Sequence, residues 1–388
     1  MRSRKWSTSL TAALLTGVLG LTAACGSGNT TVEDEADTAT TTSAAAADWA
    51  KDAGPEWEAL LEKAKAEGEV TVAGSPALEG PLTKAFEADT GIKVNYVAGP
   101  GSQNSARFDT EARAGSPSID VIIGKGTQLR SLYKEELLEP IAPQLILPST
   151  EDGPNWRGGK KLWFDPEEKY IFQGASYVFG FVTVNADVVD PAEIKTWDDL
   201  LKFKGKIAAY DPTVSPSPGQ GVAVAMMKDQ GEDLVKKVWV DTEPTFYRDP
   251  QQLAQAVARG TQPIGLALTQ SSLEQFRKEG INLEVIMPEP WPGYVTTGFG
   301  AINQAKNSPH PAAAQVFINW FASPAGQQVY QDTMLEASTR TDLDAGNLPE
   351  YVVPKEGVEY FTDMDSDFYL NEQLQVTEKI VSLIGGSG

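Results

Sequence analysis

Glu69-Val70-Thr71-Val72-Ala73, followed by Gly74-Ser75-Pro76, opens the segment that decides the fold. The apolar run reads as a strand, and the Gly/Pro loop ends it. Leu78, Leu82, Ala85 and Phe86 then recur at helical spacing, Gly91 stops the helix, and 92–97 reads as a second strand. A strand, a helix and a strand within thirty residues form the unit from which parallel sheets covered by helices are built.

Working outward, the unit is preceded by a helix over 55–67, with Trp57, Leu60, Leu61 and Ala64 on one face, and the cycle repeats after it. The loop 99–102 leads to a helix through 114, and 119–123 reads as a buried strand. Gly124-Lys125-Gly126-Thr127 opens a helix expected to run to 139. A second set starts with a strand over 178–185, followed by a helix begun at Thr196, a strand over 207–210 and the Ser/Pro/Gly loop 211–219. Helices are expected over 221–230, 232–240 and 250–259, a strand over 263–268, a helix over 271–279 and a strand over 283–287. The strand-like stretch 294–303 leads into helices over 309–322 and 324–334. In such sheets ligands sit beyond the carboxyl ends of the strands, where loops and helix N-termini meet. Backbone N–H groups and the helix dipole there favour anionic or strongly polar ligands.

The N-terminus has a different character. Arg2, Arg4 and Lys5 precede an apolar stretch over 10–21, and small residues lead into Cys25, the one cysteine in 388 residues. That is the pattern of an export signal over 1–24, too short to span a bilayer as a helix. Leu21-Thr22-Ala23-Ala24-Cys25 resembles a bacterial lipobox, which implies acyl chains such as palmitate on Cys25 and attachment to the outer face of the cytoplasmic membrane. The segment 25–48, rich in Thr, Ala, Ser, Gly and acidic residues, is expected to be a disordered tether.

The chain carries 32 basic and 53 acidic residues, a formal net charge of −21, which argues against nucleic acid as a partner. One His and one Cys exclude a Cys/His zinc site and a disulfide framework. Gly124-Lys125-Gly126-Thr127 lacks the spacing of a nucleotide phosphate loop. No cofactor is expected.

The order of several segments resembles the solute-binding proteins of ABC importers in the ferric-iron-binding group. The likeness rests on Lys84-Ala85-Phe86-Glu87-Ala88-Asp89-Thr90-Gly91-Ile92-Lys93-Val94, Ser118-Ile119-Asp120-Val121 and Trp197-Asp198-Asp199-Leu200 with Phe203-Lys204-Gly205-Lys206-Ile207. Farther on it rests on 312–320 and Ser323-Pro324-Ala325-Gly326-Gln327. The resemblance implies an α/β, two-lobed periplasmic-binding-protein-like fold of type II, with two mostly parallel sheets joined by crossing strands and a cleft that closes on the ligand. With crossings near 179–183 and 296–300, one lobe comprises 49–180 and 296–340, the other 181–295 and 341–388. The implied partners are a small solute and membrane permease subunits, and the protein is expected to be a monomer and not an enzyme.

In iron-binding relatives a Tyr pair, a Glu and often a His hold the ferric ion. The matching positions here are Gln270 with Ser271, Lys125 and Ala77, none of them a ferric ligand. A small organic anion is therefore expected in place of iron, with Lys125 supplying positive charge. Ser75, Ser102, Thr127, Ser215, Ser217 and Gly219 lie in the loops at strand ends, Gln270 and Ser271 match the old metal positions, and Ser176, Tyr177 and Thr297 stand near the crossings; these are the candidate ligand-binding residues.

Two other functions remain open on sequence. Paired carboxylates leave no spacing signature, so a secreted glycosidase-like lipoprotein hydrolase is one, although a Ser-His-Asp version would need His310, wedged between Pro309 and Pro311, and no Gly-x-Ser-x-Gly elbow exists. A binding module serving a sensor is the other. The N-terminal reading has a direct check: Cys25→Ser should move the protein from the membrane fraction into the medium, and unchanged retention would refute lipidation.

Overall fold

Gly180, at φ +104°, breaks what the sequence presents as one strand over 178–185 into Tyr177–Phe179 and Val182–Asn185. The break matters because the two pieces belong to different sheets. A computed structural model describes residues 49–125, 130–346, 348–355, 357–362 and 367–385, all in one compact unit.

The first lobe is built on a seven-stranded sheet. Its parallel part pairs Glu69–Gly74 with Lys93–Ala98 on one side and Val121–Gly124 on the other. Ala301–Ala305 then adds antiparallel to Val121–Gly124, and Phe172–Gln173 and Leu162–Trp163 extend the sheet. The second lobe is a five-stranded sheet in which Thr245–Tyr247, Ile207–Tyr210 and Ile264–Leu266 run parallel, while Val182–Asn185 lies antiparallel between Ile264–Leu266 and Leu283–Ile286. Between them, a three-stranded sheet pairs Tyr294–Thr296 with Tyr177–Phe179 and Phe361–Thr362.

The chain therefore passes from the large sheet through Tyr177–Phe179 into the second lobe, and returns through Tyr294–Thr296. The return strand is also broken. Gly298, at φ +53°, and a tight turn in which Gly300 N–H donates to the Thr297 carbonyl (2.9 Å) separate Tyr294–Thr296 from Ala301–Ala305. A chain that crosses from one lobe enters the other's parallel sheet in reverse, as Val182–Asn185 does on the way out and Ala301–Ala305 on the return.

Helices cover the sheets through aromatic packing. Phe86, on the helix Glu79–Thr90, meets Phe317 at 5.0 Å and Trp320 at 5.4 Å between ring centroids, both on Pro311–Ala322. The buried Asn319 accepts from Ile146 and Leu147 N–H and donates to Gln144 and Gln315 carbonyls, so this helix also holds the loop 144–147. No helix among the described residues is long and apolar enough to cross a membrane.

Several expectations need correcting. Among the described residues the helix expected to run to 139 ends at Lys134. Glu136 takes φ +57°, and Leu138–Glu139 turns under the sheet to pair with Gln304 and Ala305. The helix expected over 221–230 starts earlier, at Pro218, because Ser217 caps it. The helix at Thr196 is a 3₁₀ helix, Trp197–Phe203. Short strands at Leu162–Trp163, Phe172–Gln173, Thr245–Tyr247 and Phe361–Thr362 have no periodic signal that marks them; the helix Gln373–Gly385, also absent from the expected elements, does have one in Val376, Ile380, Leu383 and Ile384.

A side chain at Gly180 would combine an unfavourable backbone with a Cβ 3.0 Å from the buried Trp291 ring. Gly180→Ala should therefore lower the unfolding free energy by about 1–3 kcal/mol, read as a shift of the denaturant midpoint.

Candidate functional site

The loops at the carboxyl ends of the parallel strands enclose a cleft of about 220 Å³. From the seven-stranded sheet come Gly74 to Ala77, Gly99 to Gly101, and Ile122 to Gly124. From the five-stranded sheet come Tyr210, Pro218, Asp249 to Gln251, Thr269, Ser271 and Ser272. Phe299, in the returning crossing, and Met334 add apolar wall.

The cleft-facing loops are held in place by side chains that the sequence does not flag. Asn104 Nδ2 donates to the carbonyls of Gly74 (3.0 Å) and Val97 (3.2 Å), so one buried amide ties two loops together. Tyr96 Oη donates to the Ser75 carbonyl at 2.8 Å. Gly74 has no room for a side chain, since a Cβ there would lie 2.3 Å from that phenol oxygen. The absence of side chains at Gly74, Gly99, Gly101 and Gly124 lets a ligand come close to the main chain of the cleft wall.

The first turns of four helices line the cleft: Gly101–Arg113, Pro218–Asp229, Pro250–Ala258 and Gln270–Lys278. Ser217 Oγ accepts from Gln220 N–H (3.0 Å) and Asp249 Oδ1 from Gln252 N–H (2.8 Å), so two of these starts are capped. Gly101–Arg113 and Gln270–Lys278 have no side-chain cap. These two come from opposite lobes. Their first-turn N–H groups and dipoles give the cleft a positive character on both walls.

A narrower recess continues from the cleft past Thr269 and Phe299, and Lys125, Tyr177, Ser217, Tyr294 and Thr296 line it. Lys125 is only 3% exposed. A Cβ on Gly221 would lie 2.6 Å from its ammonium and 2.5 Å from Tyr294 Oη, so that glycine makes room for the lysine against the helix start of the other lobe.

The candidates from sequence separate into groups. Ser75 and Ser271 line the cleft; Lys125, Tyr177 and Ser217 line the recess. Ser102, Ser176, Ser215, Gly219, Gln270 and Thr297 line neither, and Thr127 lies outside the described residues, as does Cys25. Gln270 turns inward, where its Oε1 accepts from Tyr351 Oη (2.5 Å) and Arg277 Nη1 (3.1 Å). Ser176 is buried, its carbonyl accepting from Arg157 (2.9 Å). Gly219 serves packing, since a Cβ there would lie 2.3 Å from the Tyr210 carbonyl. Asp249, Tyr210, Thr269, Ser272, Phe299 and Met334 are the cleft residues that sequence reasoning missed. Asp249-Pro250 carried the one usable signal, a helix cap followed by Pro at N1.

Beneath the cleft, Glu336 is buried between the crossing and the helix Pro324–Met334. Its carboxylate accepts from Tyr177 Oη (2.8 Å), from Tyr330 Oη and from the Phe299 N–H. Burial pushes it up to about 7 despite those hydrogen bonds. Burial also raises the phenols of Tyr177 and Tyr330 well above their ordinary value.

The chain belongs to the family of bacterial extracellular solute-binding proteins. The family model matches residues 82–351. Iron uptake protein A1 of Synechocystis is 21% identical over 262 residues, which span 64% of this chain and 69% of that protein. Iron-bound HitA from Pseudomonas aeruginosa superposes with a TM-score of 0.60 at 18% identity, covering 80% of this chain and 99% of HitA. AfuA from Actinobacillus pleuropneumoniae, solved with fructose-6-phosphate, gives 0.62 at 18% identity over 82% and 98%. These solved structures are type II periplasmic binding proteins, so this chain has that fold and resembles the ferric-iron-binding group. The family is described as one of extracellular solute-binding proteins, and AfuA as a periplasmic binding protein.

The Glu336 shift has a stability consequence. Between the ordinary carboxyl value and about 7 the folded state holds a proton that the unfolded state has lost, so this group's contribution falls as pH rises through that window. Wild type should lose on the order of 3 kcal/mol more than Glu336→Gln between pH 4.5 and 8, measured by urea unfolding at each pH.

Proposed function

We propose that this chain is the solute-binding component of an ABC importer, that it captures a small organic anion between its lobes, and that it catalyses no reaction. The observation that carries this reading is the pair of uncapped helix starts, Gly101–Arg113 and Gln270–Lys278, facing one cleft from opposite lobes. The hydroxyls of Ser75, Thr269 and Ser271 add neutral donors, and Lys125 adds a charge in the adjoining recess. The sugar phosphate held by AfuA on the same fold supports an anion.

Ferric iron as the solute fits the side chains poorly. Among the described residues no three His, Cys, Asp or Glu side chains cluster to hold a metal ion. Tyr210, the phenol in the cleft, donates to the Arg248 carbonyl (2.9 Å), and burial, with the carboxylates of Asp249 and Asp211, raises it above its ordinary value. A tyrosinate is thereby disfavoured.

In this reading residues 49–180 with 296–340, and 181–295 with 341–388, move as two bodies about the breaks at Gly180 and Gly298, and Cys25 anchors a monomer to the membrane. Delivery of the solute to permease subunits follows lobe closure.

Titration calorimetry against phosphate esters, phosphonates and carboxylates, with ferric citrate as control, tests it. An anion should bind and shrink the radius of gyration in small-angle scattering. Lys125→Met should weaken that anion by more than about tenfold, since a charge pair 4 Å apart at an effective dielectric near 20 is worth roughly 4 kcal/mol before desolvation. Tight ferric binding with a tyrosinate-to-iron absorption band would overturn the reading.

A further inference from the structure

We propose that Asp249 determines which anions the cleft accepts: its carboxylate takes a hydrogen bond from the solute, which therefore carries a donor, a hydroxyl or an ammonium, beside its anionic group. The proposal rests on the anion reading above and adds a requirement to it.

Asp249 is the one carboxylate among the described residues lining the cleft. Its Oδ1 caps the helix Pro250–Ala258 through Gln252 N–H at 2.8 Å. That is the side chain's one hydrogen bond among the described residues. The two neighbouring donors bond to groups other than Asp249. Tyr210, close enough for the Asp249 charge to raise its phenol, donates to the Arg248 carbonyl. The Arg248 guanidinium is engaged by Asp211, with Nε 2.9 Å from Oδ2. Pro250, next in sequence, has no N–H to offer.

A carboxylate can only accept hydrogen bonds. Placed in a cleft whose other groups attract negative charge, it repels an anion that brings no donor and rewards one that does. The cleft is thus two-sided in chemistry: N–H groups and hydroxyls for the anionic end, Asp249 for a donor on the same molecule. Ile122, Ile123, Phe299 and Met334 supply apolar wall for the carbon frame between them.

A cap alone would not need the charge, because Asn caps a helix about as well as Asp. Asp249→Asn therefore separates the two roles. The probes are three phosphate monoesters of similar size: n-propyl phosphate without a donor, glycerol 3-phosphate with hydroxyls, and O-phosphoethanolamine with an ammonium. Butyrate, 4-hydroxybutyrate and 4-aminobutyrate form the matched carboxylate series. At pH 8 the phosphate, whose second pKa is about 6, supplies no proton of its own.

By titration calorimetry on the full chain, wild type should bind a donor-bearing probe at least about tenfold tighter than its donor-free match. Asp249→Asn, with an unchanged melting temperature, should bring the two within about threefold. Which series and which donor wins names the solute chemistry. Equal binding of matched probes by wild type, or a preference that survives Asp249→Asn, overturns the role of Asp249 and leaves the anion reading standing. If wild type binds no member of either series, the anion reading falls and this proposal with it.

Discussion

A single buried carboxyl holds together the parts that have to agree for this protein to work. Glu336 accepts one hydrogen bond from the strand that leaves the first lobe, through Tyr177. It accepts a second from the helix behind it, through Tyr330, and a third from the Phe299 backbone in the returning crossing. Phe299 is also wall of the cleft. Both crossings and the floor of the site are thus referred to one group. A buried acid is costly when ionised, and here three donors offset only part of that cost. Gly298 completes the arrangement, since a Cβ there would lie 2.1 Å from the Tyr177 oxygen. The crossing is shaped around the phenol that serves Glu336.

The breaks at Gly180 and Gly298 turn two long apolar runs into connectors. Each run supplies strands to two sheets, and the change of sheet occurs where glycine reaches a conformation other residues avoid. This geometry sets the cleft between the ends of two parallel sheets. Loops from both lobes then meet with their helix starts inward, so the electrostatics of the site follow from topology before any side chain is chosen. The scaffold aims the positive ends of helices into the cleft, and the side chains around them set the rest of its chemistry.

Much of the frame was legible because its signals are periodic. Val70, Val72, Leu78, Leu82 and Phe86 mark strand and helix by spacing, and the loops at 74–76 and 99–101 mark strand ends that do line the cleft. Most of what escaped has no period. Leu138–Glu139 and Phe172–Gln173 are two-residue strands fixed by their partners. Asn104 and Glu336 are single polar residues whose meaning lies in contacts 30 and 159 positions away. Gln270 looks like a binding residue by type and place, yet it bonds inward to Tyr351, while Ser217 lines the recess and caps a helix at once. Side-chain direction, which separates Ser271 from Gln270, is decided by packing that a linear pattern does not contain.

The glycines at 74, 99, 101 and 124, which bring main chain to the cleft wall, have a bearing on descent. Recognition through main chain is carried by the fold itself, so it survives sequence drift that would erase a side-chain ligand set. That accords with relatives near 20% identity sharing one architecture while their solutes, an iron in one and a sugar phosphate in another, differ. Where a solute is held through main chain, exchanging the side chains around it alters which solute fits without dismantling the site.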